Sequence, residues 1–117
     1  MVNGTPVQGD IIKINPKQGH EQQCYRPYIC LSNKIISDMA NIAVFAPISN
    51  TKRNYPLYIK LNNTKTTGSI LLDQIVTIDY TARNFKFVES IPDNVLNELL
   101  TTVVLVFQPN EKEEEPS

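Results

Sequence analysis

The densest run of reactive side chains lies between Lys17 and Arg26, KQGHEQQCYR, where His20, Glu21, Gln22, Gln23, Cys24 and Arg26 fall within seven positions. An imidazole titrates near neutrality and suits general acid–base work. A guanidinium presents a fixed fork of donors that matches a phosphate. Together they would suit phosphoryl chemistry on an anionic substrate. Each also has a plainer reading, His20 as a solvated loop residue and Arg26 as a surface arginine at a strand start, immediately before Pro27. Farther along, Ser49 ends the apolar stretch IAVFAPI, where its hydroxyl is placed to cap the following turn and, as a lone Ser, is a weak signal of chemistry. Asp73-Gln74 is polar between Leu71-Leu72 and Ile75-Val76, the pattern expected of a buried, hydrogen-bonded pair holding a turn. Lys52 and Arg53 sit in the polar turn SNTKRN, where they read as solvated charges. Tyr25 and Tyr55 offer rings either to stacked bases or to the core.

What is missing narrows the chemistry. There is no P-loop, no GxGxxG, no HExxH, no GxSxG and no paired CxxC. One histidine and two cysteines are too few for a dedicated zinc site, and the carboxylates of the body are scattered, so neither a metal nor a cofactor is expected. Cys24 and Cys30 define no disulfide framework and read as reduced thiols. No apolar run approaches the roughly 18–20 residues of a membrane helix. The opening MVNGTPVQGD has no signal-peptide core, so a cytoplasmic protein without membrane contact is expected. The Asn-x-Thr triplets at Asn3 and Asn62 carry no weight without a secretory route.

These groups must be positioned by short strands between polar breakers. Strands are expected at Asp10–Ile14, stopped by Asn15-Pro16, at Arg26–Ser32, at Ile42–Ile48 and at Leu57–Leu61 with Lys60 outward. Further strands are expected at Ser69–Leu72, Ile75–Ile78 and Phe85–Val88. Many short strands with Gly, Asn and Pro breaks indicate a small barrel or compact sandwich. The end of the chain changes period. Ser90-Ile91-Pro92-Asp93 resembles a helix start, with a hydroxyl cap, Pro in the first turn and an acid near the positive dipole end. Leu96, Leu99, Leu100, Val103 and Phe107 then recur at helical spacing. From Val103 to Phe107 the segment is apolar all round. It either crosses the barrel as a helix, offers a surplus face to a second subunit, or frays into extended structure before Pro109.

The chain has 117 residues and a formal charge of -1, which suits one domain. That charge is the sum of two unlike parts. Residues 110–117, NEKEEEPS, hold four Glu against one Lys and should be a disordered acidic tail. Residues 1–109, the expected domain, hold ten basic against eight acidic groups, a mildly basic body that permits an anionic partner.

Gly9-Asp10-Ile11, Gly19-His20-Glu21-Gln22-Gln23, Arg26-Pro27 with Leu31-Ser32, Pro47-Ile48-Ser49, Tyr55-Pro56 and Asp73-Gln74-Ile75 stand in the order of one family. The sequence resembles the PemK/MazF/Kid toxins of bacterial toxin–antitoxin systems over roughly Gly9 to Phe107, nearest the Kid/PemK style in its GHEQQ segment. The resemblance implies a mainly β fold, an SH3-like barrel with a C-terminal α-helix, acting as a homodimer. It further implies a metal-independent endoribonuclease that cuts single-stranded RNA, mainly mRNA, and is silenced by a cognate, acidic and partly disordered antitoxin. DNA would be met only through that antitoxin. In such a reaction the RNA 2′-hydroxyl attacks, leaving a 2′,3′-cyclic phosphate and a 5′-hydroxyl.

Position by position, Arg26 matches the arginine that stabilises the phosphorane and donates a proton. Ser49 falls where MazF members usually have Thr, and either hydroxyl reaches a phosphate oxygen. His20 matches the GHEQ histidine and Asp73 the aspartate proposed as base. Gln22, Gln23, Lys52, Arg53, Tyr55 and Gln74 are the expected RNA contacts. One departure stands out, because Leu71 occupies the place of a basic residue in Kid-type members. Their Arg–Asp pairing therefore cannot form, which leaves Asp73 between a structural role and that of the base. The other reading on the same barrel is a non-catalytic toxin similar to CcdB, which poisons gyrase through a Trp near its C-terminus. This chain has no Trp.

Overall fold

The computed structural model describes residues 4–15 and 25–111. Among these described residues seven strands and two α-helices follow in the order β1 (Asp10–Ile14), β2 (Arg26–Cys30), α1 (Lys34–Met39), β3 (Ile42–Ser49), β4 (Tyr58–Lys60), β5 (Ser69–Leu71), β6 (Val76–Asp79), β7 (Phe85–Ser90) and α2 (Asp93–Val106). A single 3-10 turn, Tyr80–Ala82, links β6 to β7 and is capped by Asp79, whose carboxylate accepts from the Thr81 and Ala82 amides. The strands are antiparallel, in the spatial order β4-β5-β3-β2-β1-β7, with β6 paired to β3.

The strand sequences explain this arrangement. β1 is apolar on both sides, with Ile11, Ile12 and Ile14 all at 0 % exposure, as expected of a strand covered on both faces. Ile11, Ile29, Ala46, Ile48, Ile70 and Leu72 build one core together with Leu99 of α2. Ile12, Ile14, Tyr28, Cys30, Phe45 and Tyr80 build a second. Each fully buried isoleucine contributes about 1.5–3 kcal/mol relative to an exposed one. The result is a β-rich, barrel-like sheet with a C-terminal helix.

β3 is the pivot of the sheet. It pairs with β2 along one edge, while the other edge is shared by β6 at Ile42–Phe45 and β5 at Ile48–Ser49. The Asp73-Gln74 turn therefore lies between β5 and β6, beside the C-terminal half of β3. Its tip faces solvent, so both residues are exposed and the expected buried pair is corrected.

Two further expectations change. Ser90 does not cap α2. It is the last residue of β7, and its hydroxyl donates to buried Asp10 at 2.8 Å, while Pro92 precedes the helix without a side-chain cap. The strand expected to run to Ser32 stops at Cys30. Asn33 then caps α1, accepting from the Ile35 amide at 2.9 Å. The sequence does not signal this helix, because Ile35-Ile36 gives a six-residue segment β-like chemistry.

α2 stays helical through Val106 and lies on the first core through Val95, Leu96, Leu99 and Val103. Beyond that contact its end is bare, with Leu105 62 % and Phe107 72 % exposed. No helix among the described residues is long and apolar enough to cross a membrane.

Candidate active site

Arg26 opens β2 and Ser49 closes β3. The two strands run antiparallel with Tyr28 opposite Pro47 and Ile29 opposite Ala46. Arg26 and Ser49 each lie two residues beyond the Tyr28–Pro47 pair on their own strands, and both line one cleft. Each is also held from its other side, Arg26 by Ile14 of β1 and Ser49 by Ser69 of β5. A row of four adjacent strands thus fixes the backbone beneath both side chains, and both are exposed. Around them opens a cleft of about 560 Å³ that also takes in Asn50, Thr67, Leu71 and Gln74. Leu71, 7 % exposed, gives it an apolar patch where the resemblance would place a basic residue.

A second cleft of about 790 Å³ adjoins the first, sharing Asn50 and Thr67, and carries Lys52, Arg53, Tyr58 and Lys60. The Arg53 guanidinium lies 4.8 Å from the centre of the Tyr55 ring and 6.0 Å from that of Tyr58. The two rings meet edge to face at 4.9 Å. Such a cation–aromatic contact contributes about 0.5–1 kcal/mol where exposed, enough to bias a surface arginine toward one orientation. Positive charge and aromatic faces thus occur side by side in this outer cleft.

The wall between the clefts comes from the turn joining β4 to β5. Thr67 lines both clefts, and Gly68 lies directly on the β3 backbone. With φ at +119°, Gly68 adopts a conformation that side-chain-bearing residues rarely take. Its carbonyl accepts from the Leu61 amide at 2.9 Å.

The geometry gathers part of the expected set. Arg26, Ser49 and Gln74 share the first cleft, and Lys52 and Arg53 the second. Tyr55 is half-buried against Arg53. Asp73 is exposed on the same turn as Gln74, yet lines neither cleft. His20, Gln22 and Gln23, with Glu21 and Cys24, lie outside the described residues. Tyr25 is half-buried, its ring 5.7 Å from the Lys86 ammonium.

Sequence reasoning missed Asn50, Tyr58, Lys60 and Thr67. Lys60 was legible only as an outward residue of an alternating strand. Thr67 carried no signal, because its place depends on how the turn folds back onto β3. Cys30 is buried in the second core, and burial pushes its thiol up from 9.0 to about 11, so it offers no nucleophile near neutral pH. Among the described residues no group of three or more His, Cys, Asp or Glu is placed to hold a metal ion.

Comparison with known proteins identifies the family. Residues 7–107 match the family model of the PemK-like, MazF-like toxin of type II toxin–antitoxin systems. The chain belongs to that family. It is 30% identical over 95 residues to the endoribonuclease PemK of Escherichia coli, covering 77% of this chain and 71% of that protein. It is 29% identical over 80 residues to the endoribonuclease toxin MazF of Escherichia coli K12, covering 67% and 72%. In fold it is similar to a MazE–MazF structure from Deinococcus radiodurans, with a TM-score of 0.76 at 20% identity over 90% of this chain and 98% of that one. It is also similar to an endoribonuclease in complex with its cognate antitoxin from a mycobacterial species, with a TM-score of 0.68 at 18% identity over 90% and 100%.

Proposed function

We propose that the chain is an endoribonuclease that cuts single-stranded RNA, mainly mRNA, at the Arg26–Ser49 cleft. The observation that carries this reading is the shared exposed cleft, lined by both Arg26 and Ser49, in a chain of this toxin family. The names of the Escherichia coli relatives, both endoribonucleases, support the same activity.

In the reaction the RNA 2′-hydroxyl loses its proton to a base and attacks the adjacent phosphorus. The bond from phosphorus to the 5′-oxygen breaks, and that oxygen gains a proton. The products are a 2′,3′-cyclic phosphate and a 5′-hydroxyl. Negative charge accumulates on the non-bridging oxygens of the pentavalent intermediate, and fixed donors aimed at such charge supply about 2.7–4 kcal/mol each. Arg26 supplies a cationic fork for those oxygens and a proton for the leaving group, and Ser49 supplies a second donor. His20 and Asp73 are the candidates for the base. Asp73 takes that role only if the substrate reaches the solvent-facing tip of its turn. Lys52, Arg53, Tyr55 and Gln74 extend the contact along the strand, with Gln22 and Gln23 on the segment before β2. No residue in this scheme holds a metal.

The partner that silences the chain is a cognate antitoxin, acidic and partly disordered, whose charge complements the basic clefts. The bare end of α2 is the face for a second copy of the chain. The body spans residues 1–109, followed by an acidic tail from 110, of which residues 112–117 lie outside the described set. The reading is tested by incubating the purified chain with a defined single-stranded RNA in EDTA, beside a gyrase supercoiling assay. Discrete RNA cuts with gyrase unaffected are expected. Intact RNA with inhibited gyrase would instead assign the chain to the CcdB type.

A further inference from the structure

The turn between β4 and β5 has an anchor far from it in sequence. Glu89, on β7, accepts from the Thr66 amide at 2.8 Å and from the Lys65 amide at 3.1 Å, one carboxylate oxygen for each. Within the turn the Thr64 hydroxyl donates to the Thr66 carbonyl at 2.6 Å. The next residue, Thr67, lines both clefts, and the one after it, Gly68, leaves so little room that a Cβ there would stand 2.8 Å from the Ser49 carbonyl oxygen. A carboxylate on a strand at one edge of the sheet is therefore linked, through two amides and two residues, to the backbone of Ser49 on β3.

We propose that Glu89 is a positioning residue for the cleft, holding the 62–68 turn so that Thr67 stands at the junction and Gly68 buttresses Ser49. The inference rests on the reading of the Arg26–Ser49 cleft as the cleavage site. Physical economy favours it over a purely structural role. Ionised carboxylates are the strongest acceptors for backbone amides, and a turn without regular pairing has few other means of keeping a fixed position. Because displacements near 1 Å cost up to about 100-fold in rate, a turn that abuts a reacting group needs such an anchor.

The test uses the full chain with Glu89→Ala, Glu89→Gln, Ser49→Ala and the Glu89→Ala/Ser49→Ala double variant, with single-stranded RNA as substrate. Glu89→Ala should lower kcat/KM on the order of 10- to 100-fold. Glu89→Gln should recover part of it, since one amide oxygen can still accept. In the Ser49→Ala background Glu89→Ala should add little, because the hydroxyl whose position Glu89 fixes is already gone. Amide NMR should show shifts at Ser49, Asn50, Thr67 and Gly68 in Glu89→Ala. Full activity in Glu89→Ala, or losses that multiply in the double variant, would overturn the proposal. If the wild-type chain cuts no RNA, the ribonuclease reading fails and the NMR comparison alone decides. Unshifted Ser49 and Thr67 amides would then overturn the positioning role, and shifted ones would sustain it.

Discussion

Gly68 and Ser49 are in backbone contact across the β3–β5 edge, close enough that a single added methyl would collide with the Ser49 carbonyl. The relevant feature of Gly68 is therefore what it lacks. Gly68→Ala must either force a strained φ of +119° or move the end of β3, at a cost of about 1–3 kcal/mol.

Gly4 provides the internal control, since its φ is +71° and a Cβ there meets nothing within 4 Å. Gly68→Ala should lower the thermal midpoint and RNA cleavage together. Gly4→Ala should leave cleavage at the wild-type rate. Equal cleavage by both variants would show that the Ser49 backbone needs no such close neighbour.

The end of α2 makes the next prediction. Val104, Leu105, Val106 and Phe107 are all exposed, an apolar surface that a second copy would cover in the proposed dimer. Phe107→Glu together with Leu105→Glu should shift the sedimenting species from twice the chain mass to one. The fold itself should persist, because Leu99, at 0 % exposure, supplies the helix's deepest contact with the core. A double variant that still sediments as a dimer would place the interface elsewhere.

Cys30 supplies a pH test with a defined sign. Burial, partly offset by its hydrogen bond to Ser32, raises its thiol from 9.0 to about 11. The unfolded chain therefore loses this proton first, and the contribution of Cys30 to stability is complete below pH 9 and declines as pH rises toward 11. The decline is at most about 1.4 kcal/mol per pH unit. Denaturant unfolding of wild type and Cys30→Ala should show a stability gap that narrows between pH 9 and pH 11. In the native state at pH 8, iodoacetamide should label Cys30 far more slowly than in denaturant. Rapid native labelling would contradict the buried placement.

Much of the fold was legible in the sequence, for a physical reason. β3 is a continuous apolar stretch and β1 an isoleucine-rich one between breakers, and Leu96, Leu99 and Val103 repeat at the helical period, so local pattern and tertiary burial agree. The pattern fails where a side chain's partner is remote. Ser90 reads locally as a cap, but pairs with Asp10 eighty residues away. Asp73-Gln74 reads as a buried pair, but occupies a solvent-facing turn between two strands on one edge.

The candidate site divides in the same way. Arg26 and Ser49 were visible as strand-end residues, but only the fold brings them to one cleft. Thr67 and Glu89 act through a turn whose position no local signal encodes.

The most direct test of the whole account compares wild type with Arg26→Ala on one defined single-stranded RNA in EDTA, mapping the product ends. Wild type should give discrete cuts with 2′,3′-cyclic phosphate and 5′-hydroxyl termini. Arg26→Ala, with an unchanged circular dichroism spectrum, should lose cleavage by at least about 10²–10³-fold, the typical cost of one preorganised donor. A folded Arg26→Ala chain that cuts the same RNA at the wild-type rate would contradict the assignment of the cleft.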